Sequence, residues 1–355
     1  MNTTALSIDR IALWQWVPAA EFRRPAPPMP HRFNRLVARR LVSPQSAAPS
    51  TAEAASAVGS EIAAEVAASL GWHLAPWIDD PARQPSVRLV ILPPPLGVEV
   101  VMRRLARSVG WPLLAPPSQE DILGTGGAWR SQLAKLGSGP LVMPALHRTF
   151  LRHADGLDRL RELLAHLSRP GVQALVGCDS WAWQYLHRIM HLQAAFTAPV
   201  TVQAFHADRL ATWLPQTLGV LTDSVAELAA EANGNPAVAT AIGRLAAEHE
   251  ATHQPAHRPA PTGAAWLRAY LPQWPADAGK FDTLVVWSML IHGGLTADAL
   301  GLTMLITPDE LRGCLHRLSA AGIIALRDGV MSVTAAGLPA VRAHLVGQGY
   351  PVAEA

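Results

Sequence analysis

The sequence predicts an α/β fold: a doubly wound parallel sheet, then a helical segment and a smaller C-terminal unit. Three observations carry that expectation. Short continuous apolar runs alternate with helical stretches across residues 87–205. The first run ends in a Gly/Pro turn that leads straight into a helix. Residues 281–350 have a different grammar, three helices and a hairpin. Strands that alternate with helices pair in parallel, because each helix carries the chain back over the sheet.

The first run holds Val87, Leu89, Val90, Ile91 and Leu92. It lacks the alternation of a half-exposed strand and so suits one buried on both faces. Pro93, Pro94 and Pro95 end it, because proline donates nothing to a ladder. Gly97 permits a tight turn, and from Val98 the period becomes helical, with Val98, Val101, Met102 and Leu105 on one face. By itself this stretch also fits an ordinary strand–turn–helix of some other α/β fold. Further buried-strand runs are expected at 111–117, 141–143, 172–176 and 199–205. Residues 206–249 read as helix throughout.

Half of the 355 residues are apolar and 16% are charged, which is enough for real cores. A net charge of +2 gives no whole-protein field that favours nucleic acid. Cys178 and Cys314 form no disulfide framework, which fits a reducing, cytoplasmic setting. No apolar run reaches the roughly 18–20 residues of a membrane span, and residues 1–10 lead into no signal-peptide core.

The expected organisation is an arm and linker over 1–60, the α/β domain over 61–205, a helical lid over 206–254, a hinge over 255–280 and a winged-helix domain over 281–355. The arm carries seven arginines within residues 1–40, broken up by proline. Residues 43–58 read as low-complexity linker and 61–70 as a short Ala-rich helix. Trp and Arg are the residues most enriched at binding hot spots. Trp14, Trp16, Arg23, Arg24 and Phe33 are therefore the candidate partner-binding residues; the alternative is an arm that packs along the protein's own surface.

In order, these features are a turn at 93–99, LVMPAL at 141–146, a strand that ends in Asp179-Ser180, Gly234-Asn235-Pro236 inside the helical stretch, and a C-terminal winged helix. That order resembles the AAA+ ATPases of the STAND branch, and the likeness spans about residues 85–350. The resemblance implies a P-loop, a Walker B strand, a sensor and a lid carrying a GxP motif. A working P-loop uses backbone amides, a Lys and a Ser/Thr to hold phosphate and Mg²⁺. With Gly97 on its second glycine, Val98 takes the Lys position and Glu99 the Ser/Thr position. Pro144 falls where Walker B carries the metal-binding acid. The degenerate nucleotide site is then Pro94, Gly97, Val98, Glu99, Pro144, Asp179, Ser180 and Pro236.

These departures predict a pseudo-ATPase, not an enzyme, with no catalytic residues, no cofactor and no metal. His187 and His191 have ligand spacing on a helix, but Arg188 stands where the zinc hydrolase motif has Glu. The leading function is a scaffold or regulatory subunit that assembles with protein partners, possible relatives with intact ATPase sites among them. The alternatives are a winged-helix DNA-binding regulator and a divergent nucleotide-dependent ATPase. In 281–350 there are four Arg, no Lys and five acids, whereas phosphate contacts need surplus positive charge. Arg312, His316 and Arg317 are what the third helix would offer to DNA.

Overall fold

A computed structural model describes residues 8–25, 51–80, 86–137, 139–218, 225–252, 271–304 and 306–353; of 51–58, 216–218 and 249–252 it describes the backbone alone. The chain folds as mixed α/β around a five-stranded, mainly parallel sheet. Strand β2 (Val87–Leu92) lies between β4 (Gln173–Asp179) and β5 (Val200–Val202), parallel to both. Burial on both sides explains its nearly continuous apolar run, interrupted only by Arg88. Strand β3 (Pro140–Met143) pairs in parallel with the far side of β4. The run at 111–117 contributes a single parallel bridge, Leu113 to Val142, rather than a strand.

Helices cover both faces. On one, α2 (Thr51–Asp79) and α3 (Val98–Val109) pack with α8 (Ala207–Leu218) around Val66, Leu70, Met102, Leu105 and Trp213. On the other, α5 (Gly127–Lys135), α6 (Asp158–Leu167) and α7 (Ser180–Met190) bury Trp129, Leu160, Leu163 and Leu186 against β2, β3 and β4. After α8 come α9 (Val225–Glu231) and α10 (Pro236–Thr252).

The C-terminal unit has α11 (Lys280–His292), α12 (Ala297–Thr303), α13 (Pro308–Ala320), the hairpin β6 (Ile324–Arg327) and β7 (Val330–Val333), and α14 (Leu338–Gly347). Thr307 and Glu310 form a reciprocal cap at α13, each accepting from the other's backbone N–H. Asp328 and Gly329 both take positive φ at the hairpin turn, which matches the twist of the two strands. Helix α12 starts only at Ala297, two residues after Leu295. Leu295 exchanges two backbone hydrogen bonds with Met331, at 2.9 and 2.8 Å, and lies beside the hairpin.

Two expectations fail at the N-terminal end. Residues 61–70 are not a short helix after a linker: α2 runs 29 residues from Thr51 to Asp79, so the boundary expected at residue 60 falls inside it. Its many alanines are good helix formers, which composition alone reads as low complexity. Nor is the described arm a free docking segment. Helix α1 (Ile8–Ala12) leads to β1 (Trp16–Pro18), which pairs antiparallel with β5 and closes that edge of the sheet. Trp14 is only 3% exposed and belongs to the core.

The anchor is Glu65 on α2. Its buried carboxylate accepts the indole N–H of Trp14 at 3.2 Å and of Trp213 at 3.0 Å, and is ion-paired with Arg10. Burial pushes its pKa above the ordinary value, and the two indoles and Arg10 work against that shift. Glu65→Ala removes the shared acceptor and is expected to cost about 3–5 kcal/mol in urea unfolding. Glu65→Gln keeps an acceptor for the indoles and should cost visibly less; equal losses would show that the carboxylate is not what joins arm, α2 and α8.

Candidate functional site

In open α/β sheets a crevice forms at the carboxyl ends of the strands, where the chain's excursions switch from one side of a strand to the other. Here that point is the end of β2: the chain leaves toward β3 and β4 on one side and returns to β5 on the other. The turn 93–97 lies at this point. Gly97 sits at φ +71° before α3, a left-handed conformation that disfavours a side chain.

The predicted residues around the turn do different things. Val98 is buried and faces Gly177 of β4: a Cβ at Gly177 would lie 3.0 Å from Val98 Cγ2, 2.7 Å from Met102 Cγ and 2.6 Å from the Pro144 carbonyl. Val98 and Pro144 therefore share a tight helix–sheet contact. Glu99 lies in the first turn of α3 and accepts from Arg103 at 2.8 Å and from Arg148 at 2.9 Å. Burial opposes its ionisation, but the two guanidinium groups outweigh burial and hold its pKa below the usual range. Arg148 follows β3, so the pair ties α3 to the segment that contains Pro144.

Asp179 ends β4 and caps α7, accepting the Trp181 N–H at 2.9 Å. Burial raises its pKa from 3.8 to about 7, against the pull of two backbone N–H groups. Its own N–H donates to His147 Nδ1 at 3.3 Å. His147 is buried, which lowers its pKa to about 4. The Ser180 hydroxyl, also buried, has no hydrogen-bond partner among the described residues.

Pro236 starts α10, and the preceding Asn235 connects that helix to the turn. Its Nδ2 donates to the Pro94 carbonyl at 2.9 Å, while its Oδ1 caps α10 by accepting from Ala237 and Val238. Between these segments is a cavity of about 60 Å³, bordered by Phe22, Pro94, Leu96, Trp181, Gln203 and Asn235. Small-molecule pockets run to roughly 300–1,000 Å³. Sequence reading missed the Asn235 bridge, His147 and the seating of Phe22. Only the Gly234-Asn235-Pro236 motif signalled any of them, because the other partners are remote in the chain.

The arm residues proposed to bind a partner are corrected in part. Trp14 is core, and Trp16 donates to Ser69 at 3.0 Å and stacks on His73. Arg23 meets Gln203 through its backbone N–H, and Arg24 donates to the Ala353 carbonyl at 3.1 Å. These contacts are intramolecular because β1 holds the arm along β5. Phe33 lies outside the described residues. His187 hydrogen-bonds Gln193 at 2.8 Å, and His191 ends α7 in a left-handed conformation. Among the described residues no three His, Cys, Asp or Glu side chains cluster as metal ligands, and no helix is long and apolar enough to cross a membrane.

No family model matches the chain, and no curated protein matches it in sequence. Solved structures similar to it include the Thermotoga maritima RuvB Holliday junction branch migration motor, at 16% identity, TM-score 0.37, and coverage of 81% of this chain and 94% of that one. Another is the Aeropyrum pernix ORC2 protein in ADPNP–ADP complexes, at 14% identity, TM-score 0.39, and coverage of 79% and 93%. At this identity the likeness is one of fold alone. The expectation that this chain is not an enzyme is not retained. The residues at 98, 99 and 144 describe how the turn is packed and do not by themselves exclude catalysis.

Two outcomes are expected. The folded chain holds a proton on Asp179 up to about pH 7, while the unfolded chain releases it near 3.8. The stability this group contributes is complete below pH 3.8 and is lost as pH rises to about 7. Asp179→Asn keeps the cap, so it should match the parent near pH 3.8 and exceed it by about 2–4 kcal/mol at pH 8 in urea unfolding. Asn235→Ala removes both a helix cap and the link to Pro94, and a loss of about 1–2 kcal/mol in the same assay is expected.

Proposed function

We propose that this chain is an AAA+-like module that works by assembling with protein partners, as a scaffold or regulatory subunit; a relative carrying an intact ATPase site is one candidate partner. The observation that supports this reading is on the C-terminal unit, which has the helix and hairpin order of a winged helix. A groove of about 340 Å³ opens there between Phe281, Leu284, Thr303, Met304 and Ile306, with Arg152 at its rim. Phe281 and Leu302 are large exposed apolar side chains on α11 and α12. Exposed apolar surface of this kind suits a protein contact.

The third helix supports the same reading over DNA binding. Arg312 is ion-paired with Asp309, and Arg317 is ion-paired with the buried Asp282 at 2.9 Å. A base-reading helix needs such guanidinium groups turned toward the groove.

Affinity purification of the tagged full chain from its native cells tests this reading, with Phe281→Glu and Ile306→Asp as groove variants. The expected result is a defined set of partner proteins that wild type retains and both variants lose at unchanged melting temperature. Retention on DNA fragments that falls with salt and with Arg312→Ala would replace it with the DNA-binding reading.

A further inference from the structure

We propose that the arm residues Phe22 to Pro25 and the segment 350–353 form a two-piece strap that closes the cleft at the end of β2. This goes beyond the assembly reading above and does not depend on it.

Phe22 borders the cavity directly, facing Pro94, Leu96 and Trp181. The next residue is clamped through its backbone: the Arg23 N–H donates to Gln203 Oε1 at 3.2 Å, and Gln203 Nε2 donates back to the Arg23 carbonyl. Pro25 then presses on Gly234. A Cβ at Gly234 would lie 2.9 Å from Pro25 Cγ and 2.7 Å from Ala204 Cβ, and Gly234 has φ +71°. The arm therefore lies on the same Gly234-Asn235-Pro236 motif that bonds the turn through Pro94.

The second piece arrives from the opposite end of the chain. Ala353 is buried and borders the same cavity. Its carbonyl accepts from Arg24 of the arm at 3.1 Å and from Arg342 of α14 at 3.2 Å. One neutral oxygen thus joins arm, tail and C-terminal unit across the cleft.

The arm piece of the strap is also separable from the fold. The arm's deep burial is at Ile11 and Trp14, upstream, whereas Phe22, Arg23 and Arg24 are half-buried or exposed. Residues 350–353 are held more firmly, because Ala353 is buried with Val341 and Leu345 of α14 and Val352 packs beside it. Lifting residues 22–25 leaves β1 and the Glu65 contacts in place. The cleft so uncovered is where ligands enter open α/β sheets.

Hydrogen exchange of the full-length chain tests this with two variants, Arg24→Ala and removal of residues 351–355. The amides to follow are Leu96, bonded to the Pro93 carbonyl, and Ala237 and Val238, bonded to Asn235. Exchange there should rise about tenfold in both variants, as in a local opening, while β2 and β4 amides keep their protection. No change at these amides in either variant would overturn the strap. So would a rise shared equally by β2 and β4, which would make these segments ordinary parts of the global fold.

Discussion

One buried carboxylate decides how the N-terminal half of this chain is assembled. Glu65 is fully buried, and a charge there is tolerated inside a protein only when donors surround it. Arg10, Trp14 and Trp213 supply those donors from three separate elements. With α1 and Trp14 so fixed, β1 follows along β5 and covers an edge that would otherwise present unpaired backbone groups. Residues 19–25 are then led to the cleft. The Arg10 guanidinium also lies 5.6 Å over the Trp213 ring, so the same side chains pack as well as pair.

The cleft is wired to the rest of the molecule through short polar links. Asn235 joins α10 to the turn, and Arg148 joins α3 to the segment after β3 through Glu99. His147 and His292 continue the chain of contacts toward the C-terminal unit. The His292 ring accepts the Arg152 N–H at 3.3 Å and packs on Phe150 at 4.6 Å, and burial takes its pKa down to about 3. Gly293 lies so close to His147 that a Cβ would come within 2.8 Å of its Nε2. Arg152 reaches further, over the Trp287 ring at 5.2 Å.

What the sequence made legible follows from how local each signal is. The strand 87–92, its turn and α3 could be read because proline, glycine and the apolar period all act within a few residues. The α13 cap and the Asp-Gly hairpin were equally local. The arm was misread because Trp and Arg mean opposite things in different settings: they are hot-spot residues when exposed and donors to a buried acid when one is near. The acid is 51 positions from Trp14 and 148 from Trp213, on a helix whose alanines hide its apolar face. Val98, Glu99 and Pro144 at the P-loop-like turn likewise read in the sequence as signals about activity, whereas the structure shows how they fill and tie that turn.

Whether the arm is part of the core is tested most directly by thermal unfolding of the chain with residues 1–25 removed. The structure predicts a melting temperature lower by at least about 10 °C, because the deletion strips Glu65 of Arg10 and Trp14 and bares the β5 edge. An unchanged melting temperature with a single cooperative transition would contradict it and return the arm to the role of a docking segment.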